Sequence, residues 1–159
     1  MYYQPNPRWF HPAEFFPKSA SIHFGYNHIW RLMDQRVLWT CEELRKRYGI
    51  MIINDYAWGG KNQYRGYRPV IEILDKEHFF MTGEFETSFS SFTSQHCFGR
   101  AIDCKFYKVS AEEIRQDIKR NPDNETFKHI TRIENNVDWL HFDCASWNRE
   151  KYGILFSFL

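Results

Sequence analysis

The stretch Ser94-Gln95-His96-Cys97-Phe98-Gly99-Arg100-Ala101-Ile102-Asp103 joins a histidine to an aspartate seven positions later, with one glycine between them. Gly99 lets the chain turn or approach another backbone closely. From Ala101 to Tyr107 the pattern reads as a strand. Period two then sets Asp103 and Lys105 on one face and Ile102, Cys104 and Phe106 on the other. A carboxylate among apolar neighbours needs a partner, because an unpaired buried charge is costly. A metal ion is one such partner.

A second segment, Val137-Asp138-Trp139-Leu140-His141-Phe142-Asp143, has the same character. Trp139, His141 and Asp143 fall on one face of a strand, Leu140 and Phe142 on the other. Two imidazoles and one carboxylate form a normal catalytic zinc set with a fourth position open, so His96, Asp103 and His141 are candidate ligands. Singly, a strand histidine is more often a hydrogen-bonded core residue, and an aspartate after glycine a turn or an ion pair. Two such segments together point to metal. Cys41, Cys97, Cys104 and Cys144 are widely spaced without a C-x-x-C pair, so small buried thiols are expected rather than a disulfide scaffold.

Outward from these segments, residues 1–30 read as an irregular N-terminal arm. A helix is expected within 31–48, stopped by Gly49, followed by a short buried strand at 50–53. Residues 54–69 read as a long functional loop, punctuated by Gly59-Gly60 and Arg65-Gly66-Tyr67-Arg68-Pro69. Residues 70–92 suit a hairpin or an insertion. Ser110-Ala111-Glu112-Glu113 is a capping box opening a helix with Ile114 and Ile118 inward, ended at Asn121-Pro122. Strands are expected at 129–133 and 138–144, with a last one in 154–159. The whole is one α+β domain over 1–159, with a catalytic core at 31–159 and a mainly antiparallel sheet flanked by helices.

Composition narrows the function. The 159 residues are 43% hydrophobic and 26% charged, an ordinary globular mix. Lys plus Arg is 21 against 20 for Asp plus Glu, so the basic coat of a nucleic-acid binder is absent. No apolar run reaches the roughly 18 residues of a membrane span, so no membrane partner is expected. The N-terminus lacks the pattern of a secretory signal, which suggests the cytoplasm. Aromatics reach 19%, enough for a dense core or an aromatic-lined groove.

The two segments resemble the zinc peptidases of the D-alanyl-D-alanine carboxypeptidase superfamily. That group includes vancomycin-resistance dipeptidases, phage L-alanyl-D-glutamate endolysins and the hedgehog signalling-domain fold. Ser94, His96, Gly99, Ala101 and Asp103 match every fixed position of its S-x-H-x-x-G-x-A-x-D motif. Asp138, Trp139 and His141 match its second, looser motif, an acid three residues before a histidine. The segments Ile53-Asn54-Asp55, Gly59-Gly60 and 65–69 are similar to small phage and prophage members, and the likeness covers about residues 50–145.

The resemblance implies a hedgehog/D-Ala metallopeptidase-like fold and one Zn2+ held by His96, Asp103 and His141. It implies Asp138 as general base, with Glu134 as the alternative. On a regular strand Asp138 would point away from His141, whereas Glu134 in the preceding turn could reach. Arg68 would stabilise the oxyanion or anchor a substrate carboxylate, with Arg65 as the alternative, and Ser94 would contact substrate or support the ligands. Asp143 is a plausible partner for a ligating imidazole. The implied substrate is a peptidoglycan stem peptide, cut by a D-Ala-D-Ala carboxypeptidase or an L-Ala-D-Glu endopeptidase. The protein would be a phage or prophage monomer, acting on the cell wall after release from the host cytoplasm or as part of a virion. The alternative is a non-catalytic zinc-binding structural or virion module on the same fold.

Overall fold

A computed structural model describes residues 7–24, 28–69 and 94–157. The expected hairpin or insertion at 70–92 lies outside the described residues.

The N-terminal part is helical rather than irregular. Pro12–Phe15 forms α1 and Lys18–Phe24 forms α2, with a 3-10 turn at Ile29–Leu32. Proline at the first helical position and a capping box start α1. His11 Nδ1 accepts from Ala13 N, and Glu14 Oε2 accepts from His11 N at 2.7 Å. Histidine is an unusual cap, and the short helix carries no periodic signal. Phe15, Phe16 and Trp30 are buried and meet edge to face, with ring centroids 5.4 and 5.5 Å apart for the two Phe–Trp pairs. Part of the aromatic surplus is therefore core, while Trp58, Tyr107 and Tyr152 are exposed.

Gln35–Tyr48 is α3, capped by Asp34 and ended at Gly49 with φ 87°. Its Val37, Leu38, Cys41 and Leu44 are buried. Met51–Ile52 is β1 and Ala101–Phe106 is β2. Ala111–Arg120 is α4, opened by the Ser110–Glu113 box with Ile114 and Ile118 fully buried. Arg132–Glu134 is β3, Leu140–Asp143 is β4, Arg149–Tyr152 is α5 and Leu155–Ser157 is β5. Among the described residues the sheet runs β1-β2-β4-β3-β5.

The first three pairings are antiparallel, but β5 joins β3 in parallel, so the sheet is mixed and not mainly antiparallel as expected. The cause lies in the connection. After β4 the chain passes through α5 and returns along the outer edge of β3 in the same direction. One hydrophobic cluster unites α3, the inner sheet face and α4 through residues such as Leu44, Ile102, Ile118, Ile133 and Phe142. No helix among the described residues is long and apolar enough to cross a membrane.

Register determines the site. Asp103 pairs with His141, Ile133 with Phe142, and Glu134 with Ser157. Extending the β3–β4 register by one pair sets Glu134 across from His141. Asp103, His141, Glu134 and Ser157 thus form one row across the sheet, on the face opposite the core residues Ile102, Phe142 and Ile133.

Candidate metal centre

His96 reaches this row from a 3-10 turn, Gln95–Phe98, that leads into β2. Gly99 ends the turn with φ 65°, and a Cβ there would overlap the backbone carbonyl of Leu32. The glycine of the motif is therefore required both by its left-handed backbone and by close packing. The loop at 54–69 docks on the same strand. Asn54 Oδ1 accepts from Arg65 N at 3.0 Å, and Arg65 O accepts from Asp103 N at 2.8 Å. Gly66 fits because a Cβ there would collide with the carbonyl of Phe15.

His96, Asp103 and His141 are all buried, and one ligand atom from each lies within 4.8 Å of the others. His96 Nδ1 sits 2.8 Å from the Gly66 carbonyl oxygen, which can only accept, so that nitrogen carries the proton. In the neutral ring Nε2 then turns a lone pair towards Asp103 Oδ2 at 3.4 Å. On the other side, His141 Nδ1 lies 2.6 Å from Asp103 Oδ1. Burial pushes His96 below its ordinary value and outweighs the pull of Asp103, so the ring is neutral at pH 7. Burial alone would raise Asp103, but the hydrogen bond from His141 outweighs it and holds the carboxyl below the usual range. A neutral imidazole beside a carboxylate is the protonation pattern that metal binding requires.

A cavity of about 370 Å³ opens on the cluster, lined by Arg68, Ser94, His96, Asp103, Arg132, Glu134, Trp139, His141 and Ser157. Glu134 Oε2 lies 3.9 Å from His141 Nδ1. Glu134 Oε1 and His141 Nε2 are buried with no hydrogen-bond partner among the described residues. Such orphaned atoms are costly unless water or an ion meets them. The donor set therefore fits a divalent cation with an open side.

The expected ligands are brought together, as are Arg68, Ser94 and Glu134. Arg68 Nη2 donates to Asp103 Oδ2 at 2.9 Å, and its Nε donates to Tyr64 O at 2.6 Å. Asp138 is not brought in. Its side chain is 71% exposed and paired with Lys105 Nζ at 2.6 Å. Arg65 contributes backbone contacts and does not line the cavity. Among the described residues Asp143 meets no imidazole; it binds Thr131, Arg132 and Ser146 instead. Reading the sequence missed Arg132 and Ser157. Extending the strand at 129–133 by one residue would have placed Arg132 and Glu134 on one face.

No family model matches the chain, and no curated protein or solved structure matches it. The superfamily likeness rests on the motifs.

Proposed function

We propose that the protein is a zinc-dependent peptidase of phage or prophage origin that hydrolyses peptidoglycan stem peptides, as a D-Ala-D-Ala carboxypeptidase or an L-Ala-D-Glu endopeptidase. One observation carries the reading. The lone pair of His96 Nε2 faces the Asp103 carboxylate at the wall of the cavity, with His141 alongside and all three side chains buried. Arg68 Nη2 compensates Asp103 Oδ2 on one side only, and a cation between the two groups would meet both the His96 lone pair and the carboxylate.

His96, Asp103 and His141 would hold the ion, and three protein ligands leave a place for substrate. Zinc in such a site supplies Lewis acidity, lowering the pKa of a water towards about 7 and polarising the scissile carbonyl. Glu134 is the general base in this reading. Its carboxylate lies inside the cavity, beside His141, where it can take a proton from the attacking water and return it to the leaving amine. Arg68 fixes Asp103 through Nη2 and places positive charge at the cavity wall for a developing oxyanion. Gly66 O sets the tautomer of His96.

Metal analysis of the purified protein, with mass spectrometry of digested peptidoglycan, tests this. The expected result is about one zinc ion per chain and release of cut stem peptides, with both lost in H96A and H141A. Zinc retention with intact peptides would instead support a non-catalytic zinc module. Protein without metal that still cuts the wall would end the zinc reading.

A further inference from the structure

Among the described residues lining the cavity, Arg132 is the one charged side chain without a task in the mechanism above. It stands two residues before Glu134 on β3, so both face the cavity while Ile133 between them is fully buried. The strand rise separates the two backbones by about 7 Å.

Arg132 Nε donates to Asp143 Oδ2 at 2.8 Å, and Nη1 and Nη2 have no hydrogen-bond partner among the described residues. Asp143 is fully buried and fixed in place. Its Oδ1 accepts from Thr131 Oγ1 at 2.8 Å, and Ser146 Oγ lies 2.6 and 2.7 Å from its two oxygens. A carboxylate anchored in this way holds one edge of the guanidinium still. The remaining two nitrogens form a fork that matches the two oxygens of a carboxylate. Arg68 is less suited to that task, because its Nε and Nη2 are already engaged by Tyr64 O and Asp103.

We infer that Arg132 binds a free carboxylate of the peptide substrate, with Asp143 as its positioning residue; the inference rests on the hydrolase reading above. A stem peptide offers two such groups, the C-terminal carboxylate and the α-carboxylate of its γ-linked D-glutamate.

The test compares L-Ala-γ-D-Glu-L-Lys-D-Ala-D-Ala with two amides, one at the C-terminus and one at the D-glutamate α-carboxylate. Zinc-loaded wild type, R132Q and R132K are assayed on all three. One of the two amidations raises KM in the wild type by about tenfold or more, with little change in kcat. The same amidation has no effect on R132Q. R132K keeps the charge without the fork and falls between, and it carries the comparison should R132Q fail to fold. Calorimetric binding of the three peptides to E134Q reads the same preference without turnover. Equal KM values for all three peptides in the wild type, or an undiminished amide penalty in R132Q, overturn the assignment to Arg132 while leaving the hydrolase reading standing. Wild-type protein that cuts none of the peptides overturns the hydrolase reading, and the calorimetry then decides the role of Arg132 separately.

Discussion

Two carboxylates four residues apart end up in opposite surroundings. The Glu134 side chain is 11% exposed and sits beside His141, whereas the Asp138 side chain is 71% exposed and bound to Lys105. The difference separates their expected effects. E134Q keeps the ligand set intact and should retain zinc while losing about a hundred- to ten-thousandfold in kcat. D138N removes only a solvent-screened surface ion pair and should leave both turnover and zinc content near wild type. Steady-state kinetics on muropeptides and metal analysis of the two variants check this. Activity lost in D138N and kept in E134Q would return the base to Asp138. Spacing to His141 drew attention to both acids, but it carries no information on how the turn between them folds.

At the scale of elements, that turn is held by a residue far away in sequence. Arg115 on α4 is buried and donates to the carbonyls of Glu134, Val137 and Trp139, with Nη2 at 2.8 Å from Val137 O. Its Nε reaches Glu112 at 2.8 Å. Asn136 adopts φ 61° within the turn, a left-handed conformation that asparagine tolerates. The guanidinium thus satisfies carbonyls that a tight β3–β4 reversal leaves unpaired, and it places Glu134 over the site. R115M removes the donors and leaves those carbonyls buried. It should cost roughly 3 kcal/mol in urea unfolding and depress kcat, because Glu134 loses its support. A stability loss without an effect on turnover would show that the turn is held otherwise. The sequence marks α4 clearly through its capping box and its buried Ile114 and Ile118. It does not mark Arg115, because an arginine that caps distant carbonyls looks like any surface arginine of an amphipathic helix.

For the whole molecule, the candidate ligands come from β2 and β4, with His96 added from the turn before β2 and Glu134 beside them on β3. An ion bound there ties together strands that are distant in the chain and binds the folded form only. At a free zinc concentration a thousandfold above Kd, that linkage stabilises by about 4 kcal/mol. For a chain of this size the gain corresponds to a Tm shift of about 10 °C. Scanning calorimetry of the zinc-loaded protein before and after chelation should show a fall of that order, reversed by added zinc and absent in H96A. Equal Tm values with and without chelator would remove the coupling between metal and fold.

Period-two patterning made Asp103 and His141 candidates, because a strand alternates its faces over neighbouring residues; the ligand set with His96 came from the likeness of the motifs, and the close approach of Gly99 to the Leu32 carbonyl was not legible, because Leu32 is remote in sequence. The α+β class was legible from local pattern, in the helix over 35–48 and the box at Ser110. The parallel return of β5, the helical start of the chain and the choice of Glu134 over Asp138 as the acid inside the cavity were settled by packing. Each depends on partners remote in sequence, namely β3, the Phe15–Phe16–Trp30 cluster and Arg115, and no local pattern encodes which surface a segment will meet.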